Sequence, residues 1–129
     1  MTWSSLFVAL AVSHLAGDYL LQTEWQARHK HGGLGPNPLA RRALFQHGAN
    51  YLLACIPVLV WVTSEVGLAA LALIPVIVVP HLVLDDGRLL RAYVRRVKRA
   101  GADNASVLLA VDQSFHAVAL LLAALLFAA

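Results

Sequence analysis

The chain has 129 residues, is 60% hydrophobic and only 13% charged, and has a mean hydropathy of +0.70. Soluble domains are charged at roughly a quarter of their positions, so this composition excludes an ordinary soluble enzyme and indicates a protein that crosses the membrane several times. The net charge of +3 does not indicate nucleic-acid binding, because the basic residues are confined to two loops. The length accommodates a single domain, 1–129, with about four helices of roughly 20 residues each.

Four apolar runs predict an all-α fold, a polytopic four-transmembrane-helix bundle. The first run, bounded by Trp3 and Trp25, would span ~33 Å at about 1.5 Å per residue, close to the ~30 Å thickness of the hydrocarbon layer. Prolines 57, 75 and 80 should kink the second and third helices. The predicted helices run over about 3–25, 42–62, 66–86 and 105–128.

A basic segment joins the third and fourth predicted helices. Apolar residues repeat at helical spacing over about 88–99, and basic residues fill much of the remaining face. The pattern predicts a basic amphipathic interfacial helix that binds anionic lipid headgroups; a solvated cytoplasmic helix is the alternative. Asp86, just before it, is expected at the interface or paired with Arg88. The predicted lipid-binding side chains are Arg88, Arg91, Arg95 and Arg96.

The distribution of basic residues predicts the topology. All ten Lys and Arg residues lie either between the first and second predicted helices or between the third and fourth. The positive-inside rule puts these two loops in the cytoplasm. The prediction is therefore a multi-pass protein of the cytoplasmic (inner) membrane with both termini outside.

Ionisable and amide side chains recur at helical spacing inside the apolar runs. His14, Asp18 and Gln22 are each four residues apart, and His81 and Asp85 repeat this spacing in the third helix. Counting inward from the basic loops puts these groups about 4 to 18 Å below the cytoplasmic surface. We therefore expect them to form one polar cluster. The remaining members are His47, Asp112, Gln113 and His116.

Imidazole and carboxylate groups together suit Zn²⁺, Mn²⁺ or Fe²⁺. Histidine and aspartate at i and i+4 lie on one helix face and can bind the same ion. The number of potential ligands favours two ions, or one ion with a supporting shell. Carboxylates with no Lys or Arg at the same depth also favour a divalent ion, which would neutralise them. The predicted metal ligands are His14, Asp18, His81, Asp85, Asp112 and His116.

The predicted catalytic residues are His47, Gln22 and Gln113. His47 would either join the metal ligands or act as an acid or base, and the two glutamines would hydrogen-bond the substrate or the ligands. Two alternatives stay open: an interhelical hydrogen-bond network that only holds the bundle together, and a lone His47 that faces the headgroups. His29 and His31 lie in a glycine-rich loop and are expected to be solvated.

Four motifs follow one another along nearly the whole chain: His14-x3-Asp18-Tyr-Leu-Leu-Gln22, an isolated His47, His81-Leu-Val-Leu-Asp85 and Asp112-Gln113-x2-His116. In order and spacing they resemble a small bacterial membrane family known as domain of unknown function three-three-zero-seven. This resemblance implies a bacterial or phage origin and a cytoplasmic-membrane location, but no established activity. A fainter similarity, in the style of the polar residues only, is to membrane-bound metal-dependent hydrolases.

Three functions fit these features. The first is a membrane-embedded metal-dependent hydrolase of a lipid or lipid-linked phosphate or ester. The second is a component of proton or divalent-metal transport, although the outer half of each helix is mostly apolar and rich in Leu, Val and Ala. The third is a small structural or regulatory membrane subunit. The expected partners are the bilayer and anionic headgroups, with no nucleic acid, and assembly into a homo-oligomer stays open.

Overall fold

The computed structural model describes residues 1–101 and 104–128, and every regular element in that part of the chain is a helix. This confirms the all-α prediction. The elements in chain order are α1 (Trp3–Leu15), which continues as a π-helix (Ala16–Leu21), α2 (Glu24–His29), α3 (Pro38–Val66), a 3₁₀ segment (Gly67–Ala72), α4 (Leu73–Asp85), α5 (Arg88–Arg96) and α6 (Ala105–Phe127).

The first helix ends earlier than the predicted 3–25. Its π-helical continuation stops before Gln22, and Gln22 and Thr23 have extended backbone conformations. Thr23 then begins α2 with a capping box, in which its hydroxyl accepts from the Gln26 N–H and Gln26 Oε1 accepts from the Thr23 N–H. These bonds cap the start of a new helix, α2. Trp25 belongs to α2 and therefore lies outside the first apolar segment.

The second and third predicted helices form a helical hairpin with different bounds. α3 is longer than 42–62, because Asn37 caps its start and Pro38 suits its first turn. At its other end Gly67 has φ +64°, which few other residues adopt. A 3₁₀ segment therefore replaces the start of the predicted helix 66–86, and α4 returns along α3.

Three helical stretches, not four, are long and apolar enough to cross a membrane: Trp3–Leu21, Pro38–Asp85 and Ala105–Phe127. The prediction of four separate spans is corrected because the second stretch includes both arms of the hairpin, joined through the 3₁₀ segment. Large apolar side chains such as Leu20 and Leu126 are exposed on the outer surface. By length and composition, the three stretches are compatible with a membrane protein.

The half of the bundle that holds the N-terminus has an apolar core. Side chains from α1, α3, α4 and α6 pack together there, and the Met1 ammonium group lies 3.4 Å from Glu65 Oε2 at the same end. This core separates the N-terminal end of the bundle from the buried His and Asp residues. Its buried members are Leu6, Leu10, Tyr51, Cys55, Val58, Val62, Ala70, Leu73, Ile77, Leu120, Ala123 and Ala124.

The basic helix packs on α6. It ends at Arg96, short of the predicted 88–99. Leu90 and Val94 are buried against Val111 of α6, whereas the side chains of Arg95 and Arg96 are exposed. α5 is therefore amphipathic as predicted, and the protein covers Leu90 and Val94 of its apolar side, whereas Leu89 is 55% exposed.

The α2–α3 loop is fixed to the junction of α4 and α5 through Asp86. Gly32 N–H donates to the Asp86 carbonyl oxygen (2.8 Å), and Leu34 N–H donates to Asp86 Oδ1 (2.8 Å). Arg88 Nε donates to Asp86 Oδ2 (2.6 Å), as the pairing alternative predicted. Burial opposes ionisation of Asp86, but the hydrogen bonds from Arg88 and from the Leu34 N–H outweigh it and hold the pKa of the carboxyl below its usual value.

Gly33 lets this loop lie directly on α3. A Cβ at this position would be 2.6 Å from Leu44 Cβ and 2.7 Å from the Ala40 carbonyl oxygen. We expect Gly33→Ala to lower the free energy of unfolding by about 1–3 kcal/mol, the usual cost of overpacking, measured by thermal unfolding in detergent. Pro36→Ala, at an exposed position of the same loop, is the control. Equal stability of Gly33→Ala and wild type would contradict the close approach.

Candidate metal centre

Four histidines and three aspartates come together beside the α2–α3 loop. Helical spacing puts His14 and Asp18 on one face, and His81 and Asp85 on another. The π-helix lies close to α3, since a Cβ on Gly17 would be 3.1 Å from Tyr51 Cα. The expected convergence of these seven side chains is therefore present in the fold. Their role as metal ligands stays a prediction.

Four of these residues form what we call the inner quartet: Asp18, His47, His81 and Asp85. All four are buried. His47 Nε2 lies 2.7 Å from Asp85 Oδ2 and 3.3 Å from Asp18 Oδ1. His81 Nε2 lies 3.1 Å from Asp85 Oδ2, 3.7 Å from Asp18 Oδ1 and 3.1 Å from His47 Nε2.

These separations, 2.7–3.7 Å, bracket those of a tetrahedral metal site. Ligand atoms about 2.0–2.2 Å from a central ion lie about 3.3–3.6 Å from one another. Asp18 Oδ1 and Asp85 Oδ2 are buried, and both lie within hydrogen-bond distance of the same atom, His47 Nε2, which has at most one proton to donate. Because buried polar atoms are normally paired, a cation would supply the missing partner. The quartet could therefore hold a metal ion.

The second group, which we call the outer triad, consists of Asp85, Asp112 and His116. His116 Nε2 lies 3.8 Å from Asp85 Oδ1, and its Nδ1 lies 3.6 Å from Asp112 Oδ1. Asp85 belongs to both groups and offers a different oxygen to each. His14 stacks on His116 with a ring separation of 4.6 Å and lies 3.6 Å from Asp18, which links the triad to the quartet.

The structure distinguishes between the other predicted site residues. His47 is fully buried among Asp18, Asp85 and His81, so the reading of a lone histidine facing the headgroups is wrong. Gln113 hydrogen-bonds the cluster: its Oε1 is 3.2 Å from His14 Nε2, and its Nε2 donates to Asp112 Oδ2 (3.0 Å). Gln22, by contrast, lies at the helix break, and its Oε1 has no partner in the described part of the chain.

Lys30 corrects the expectation that no basic side chain reaches the carboxylates. Its Nζ lies 2.9 Å from Asp85 Oδ1, and the lysine side chain is only 10% exposed. Sequence reasoning missed this residue because it lies in the glycine-rich loop, and no helical spacing relates it to the cluster. The charge of Asp85 is therefore partly balanced without a metal.

Two further side chains border the cluster. Tyr51 stacks on His81 with ring centroids 3.7 Å apart, which fixes the plane of that imidazole. His31 stays outside the cluster, as expected. Partial burial, with Arg91 and Lys30 nearby, lowers the pKa of His31 below its usual value, so its imidazole is neutral near pH 7. His29 is also outside, and its Nδ1 donates to the Trp25 carbonyl oxygen (2.7 Å).

The fold and cluster define an all-helical bundle with buried His and Asp groups that could bind metal. Residues 6–129 match the family model described as Protein of unknown function (DUF3307). The chain therefore belongs to this family, as its motifs predicted. No curated protein and no solved structure matches the chain, and the fainter similarity to membrane-bound metal-dependent hydrolases has no support.

The ion pair between Lys30 and Asp85 gives a direct test of the geometry. In protein treated with a chelator, we expect Lys30→Met to lower the free energy of unfolding by about 3–5 kcal/mol, because it leaves a buried carboxylate unpaired. The double variant Lys30→Met/Asp85→Asn should recover much of that loss. Thermal unfolding in detergent measures both.

The control is Arg28→Met, which removes the exposed partner of Glu24. That pair is shorter, at 2.6 Å, but both side chains are more than 70% exposed, so its loss should cost about 0–1 kcal/mol. Equal effects of Lys30→Met and Arg28→Met would contradict burial of Lys30 against Asp85.

Proposed function

We propose that this protein is a membrane-embedded metal-dependent hydrolase that acts on a lipid or lipid-linked phosphate or ester. The observation that carries the proposal is the spacing of four buried ligand atoms in the inner quartet: all lie within 4.8 Å of one another, and the imidazole nitrogens lie 2.7–3.7 Å from the carboxylate oxygens. The outer triad lies directly beside them and shares Asp85. This adjacency favours two ions, with Zn²⁺, Mn²⁺ or Fe²⁺ suited to the imidazole and carboxylate donors.

The roles of the residues follow from their contacts. A divalent ion held there would supply a water with a pKa lowered toward ~7 and would polarise the bond to be cleaved. Asp85 is placed to serve both groups through its two oxygens. We assign His47 a ligand role, since its Nε2 faces Asp18, Asp85 and His81. Gln113 would orient His14 and Asp112 by hydrogen bonds, as supporting residues do around metal sites.

The proposal places the protein in the cytoplasmic membrane, with its basic loops in the cytoplasm and both termini outside. Three apolar helical stretches support a multi-pass arrangement. The positive-inside rule supports the orientation, because the Met1–Glu65 contact lies at one end of the bundle and Lys30 lies at the other, beside the cluster.

Transport of protons or divalent metal is less well supported than hydrolysis. A transported ion would have to pass the apolar core, which closes the N-terminal half of the described bundle. Purely structural use of the cluster is the other alternative. It gives no reason for two buried aspartate oxygens to face one nitrogen, His47 Nε2, that has at most one proton to donate.

Metal content tests the proposal. We expect detergent-purified protein to hold about one to two ions per chain by inductively coupled plasma mass spectrometry. His81→Ala should lower this content, because it removes a ligand of the inner quartet, whereas His29→Ala, outside the cluster, should not. Less than a few tenths of an ion per chain, unchanged by His81→Ala, would contradict the proposal.

Enzyme activity tests the proposal that the protein is a hydrolase. We expect the purified protein to release phosphate or fatty acid from bacterial lipid extract in mixed micelles, and a chelator should abolish this release until Zn²⁺ or Mn²⁺ is restored. Gln113→Ala should reduce the rate about 10- to 100-fold, the usual effect of losing a group that supports metal ligands. Full metal content without any hydrolysis, and metal flux into proteoliposomes instead, would favour transport.

Topology can be measured separately from chemistry. Fusions at the C-terminus should give an active alkaline phosphatase and a dark green fluorescent protein, because the positive-inside rule places this end outside. Fusions within the α2–α3 loop should give the opposite result. A fluorescent C-terminal fusion would contradict the proposed orientation.

A further inference from the structure

A pocket of about 270 Å³ opens beside the outer triad. The α2–α3 loop, the end of α4, α5 and the start of α6 enclose it, and two of the three triad residues, Asp85 and Asp112, form part of its wall. This volume is near the lower limit of small-molecule sites. The pocket therefore suits the headgroup of a larger molecule rather than a whole lipid.

The inner quartet and the outer triad differ in their access to this pocket. The inner quartet offers four buried ligands, the arrangement of a closed site. The outer triad offers three, and the Asp112 side chain is 18% exposed. An ion at the triad would therefore keep a coordination position open, as catalytic sites do.

Part of the pocket lining is cationic. Lys30 and Arg91 belong to it, and within residues 1–101 and 104–128 the ion pairs of Lys and Arg are Lys30–Asp85, Arg28–Glu24 and Arg88–Asp86. Arg91 has no carboxylate partner in that part of the chain. A guanidinium group presents a fork of donors that matches phosphate oxygens.

Much of the remaining lining is apolar. Leu84 and Leu90 lie at the α4 and α5 side, and Leu108 and Leu109 come from α6. Leu109 is 53% exposed on the outer surface of the bundle. An acyl or other apolar chain attached to a group in the pocket could therefore run over Leu109 into surrounding lipid.

We propose that this pocket binds the terminal phosphate monoester of a lipid, with Arg91 and Lys30 on the phosphate and the apolar chain over Leu108 and Leu109. A monoester carries about −1.5 to −2 charges at pH 7, which the two basic side chains and an ion at the triad would balance. The inference that the pocket binds this group rests on the pocket residues alone. The inference that the bound lipid is a substrate rests on the proposed function.

The reaction implied is hydrolysis of the monoester. The oxygen of water bonds to phosphorus as the ester P–O bond breaks, and one proton of that water ends on the leaving oxygen. The products are a lipid alcohol and inorganic phosphate.

The test measures binding of the phosphonate analogue of dioctanoyl phosphatidic acid, which is not hydrolysed, to the full chain in detergent. Arg91→Gln should raise its Kd about 10- to 100-fold, as expected for loss of a charged hydrogen bond. Lys98→Gln removes the same charge from an exposed position near the end of α5, and should change the Kd by less than about 2-fold, since exposed charges contribute little. Equal effects of the two variants would overturn the site.

A second arm separates lipid phosphate from free phosphate. Glycerol 3-phosphate and inorganic phosphate should bind at least about 10-fold more weakly than the lipid analogue, because they lack the apolar chain that buries surface on the leucine wall. Equal affinity for the soluble phosphates would overturn the lipid assignment.

Metal content measured on the same preparations separates this inference from the proposed function. If the protein is metal-loaded and active but Arg91→Gln does not change the Kd of the lipid analogue, the pocket assignment alone is overturned. Arg91-dependent binding to protein that holds no metal would support the pocket and count against the hydrolase.

Discussion

The polar half of the bundle depends on Asp85. This residue is 3% exposed, and its two oxygens meet different partners. Oδ1 lies 2.9 Å from Lys30 Nζ, whereas Oδ2 lies 2.7 Å from His47 Nε2 and 3.1 Å from His81 Nε2. A buried charge is strongly unfavourable unless it is paired. Folding of the helices and folding of the α2–α3 loop are therefore coupled through one carboxylate.

The departures from regular helix are the features that bring these partners together. The capped break at Thr23 ends the first apolar segment, so that the chain can carry Lys30 back to the end of α4. Asp86 then holds the loop in place through the Leu34 N–H. The π-helix places Asp18 opposite His47, in the kind of widened helical turn that often occurs at functional sites. The helix break and the π-helix thus bring the buried carboxylates close to their partners.

The sequence predicted the parts of this structure that follow from periodicity. Histidine and aspartate at i and i+4 in apolar runs indicated one cluster, and α6 lies almost where expected, at Ala105–Phe127. Lys30 was missed because a long side chain in a glycine-rich loop carries no periodic signal. The break at Thr23 did have a local signal, the Thr-x-x-Gln capping box, which the apolar run obscured. The sequence predicted two separate spans in place of the helical hairpin, because polar residues near Glu65 indicate a loop.

The bundle divides along its length into two unlike halves. The N-terminal half is packed with Leu, Val, Ala and Ile, and the other half contains the whole His and Asp cluster, Lys30 and the pocket. Passage of an ion across the membrane requires polar groups along the entire route, because a charge in hydrocarbon is costly. An enzyme whose substrate enters at one end of the bundle requires polar groups only at that end. The one-sided distribution of polar groups therefore favours the proposed reaction at one end of the bundle over transport, and the pocket lies at that same end.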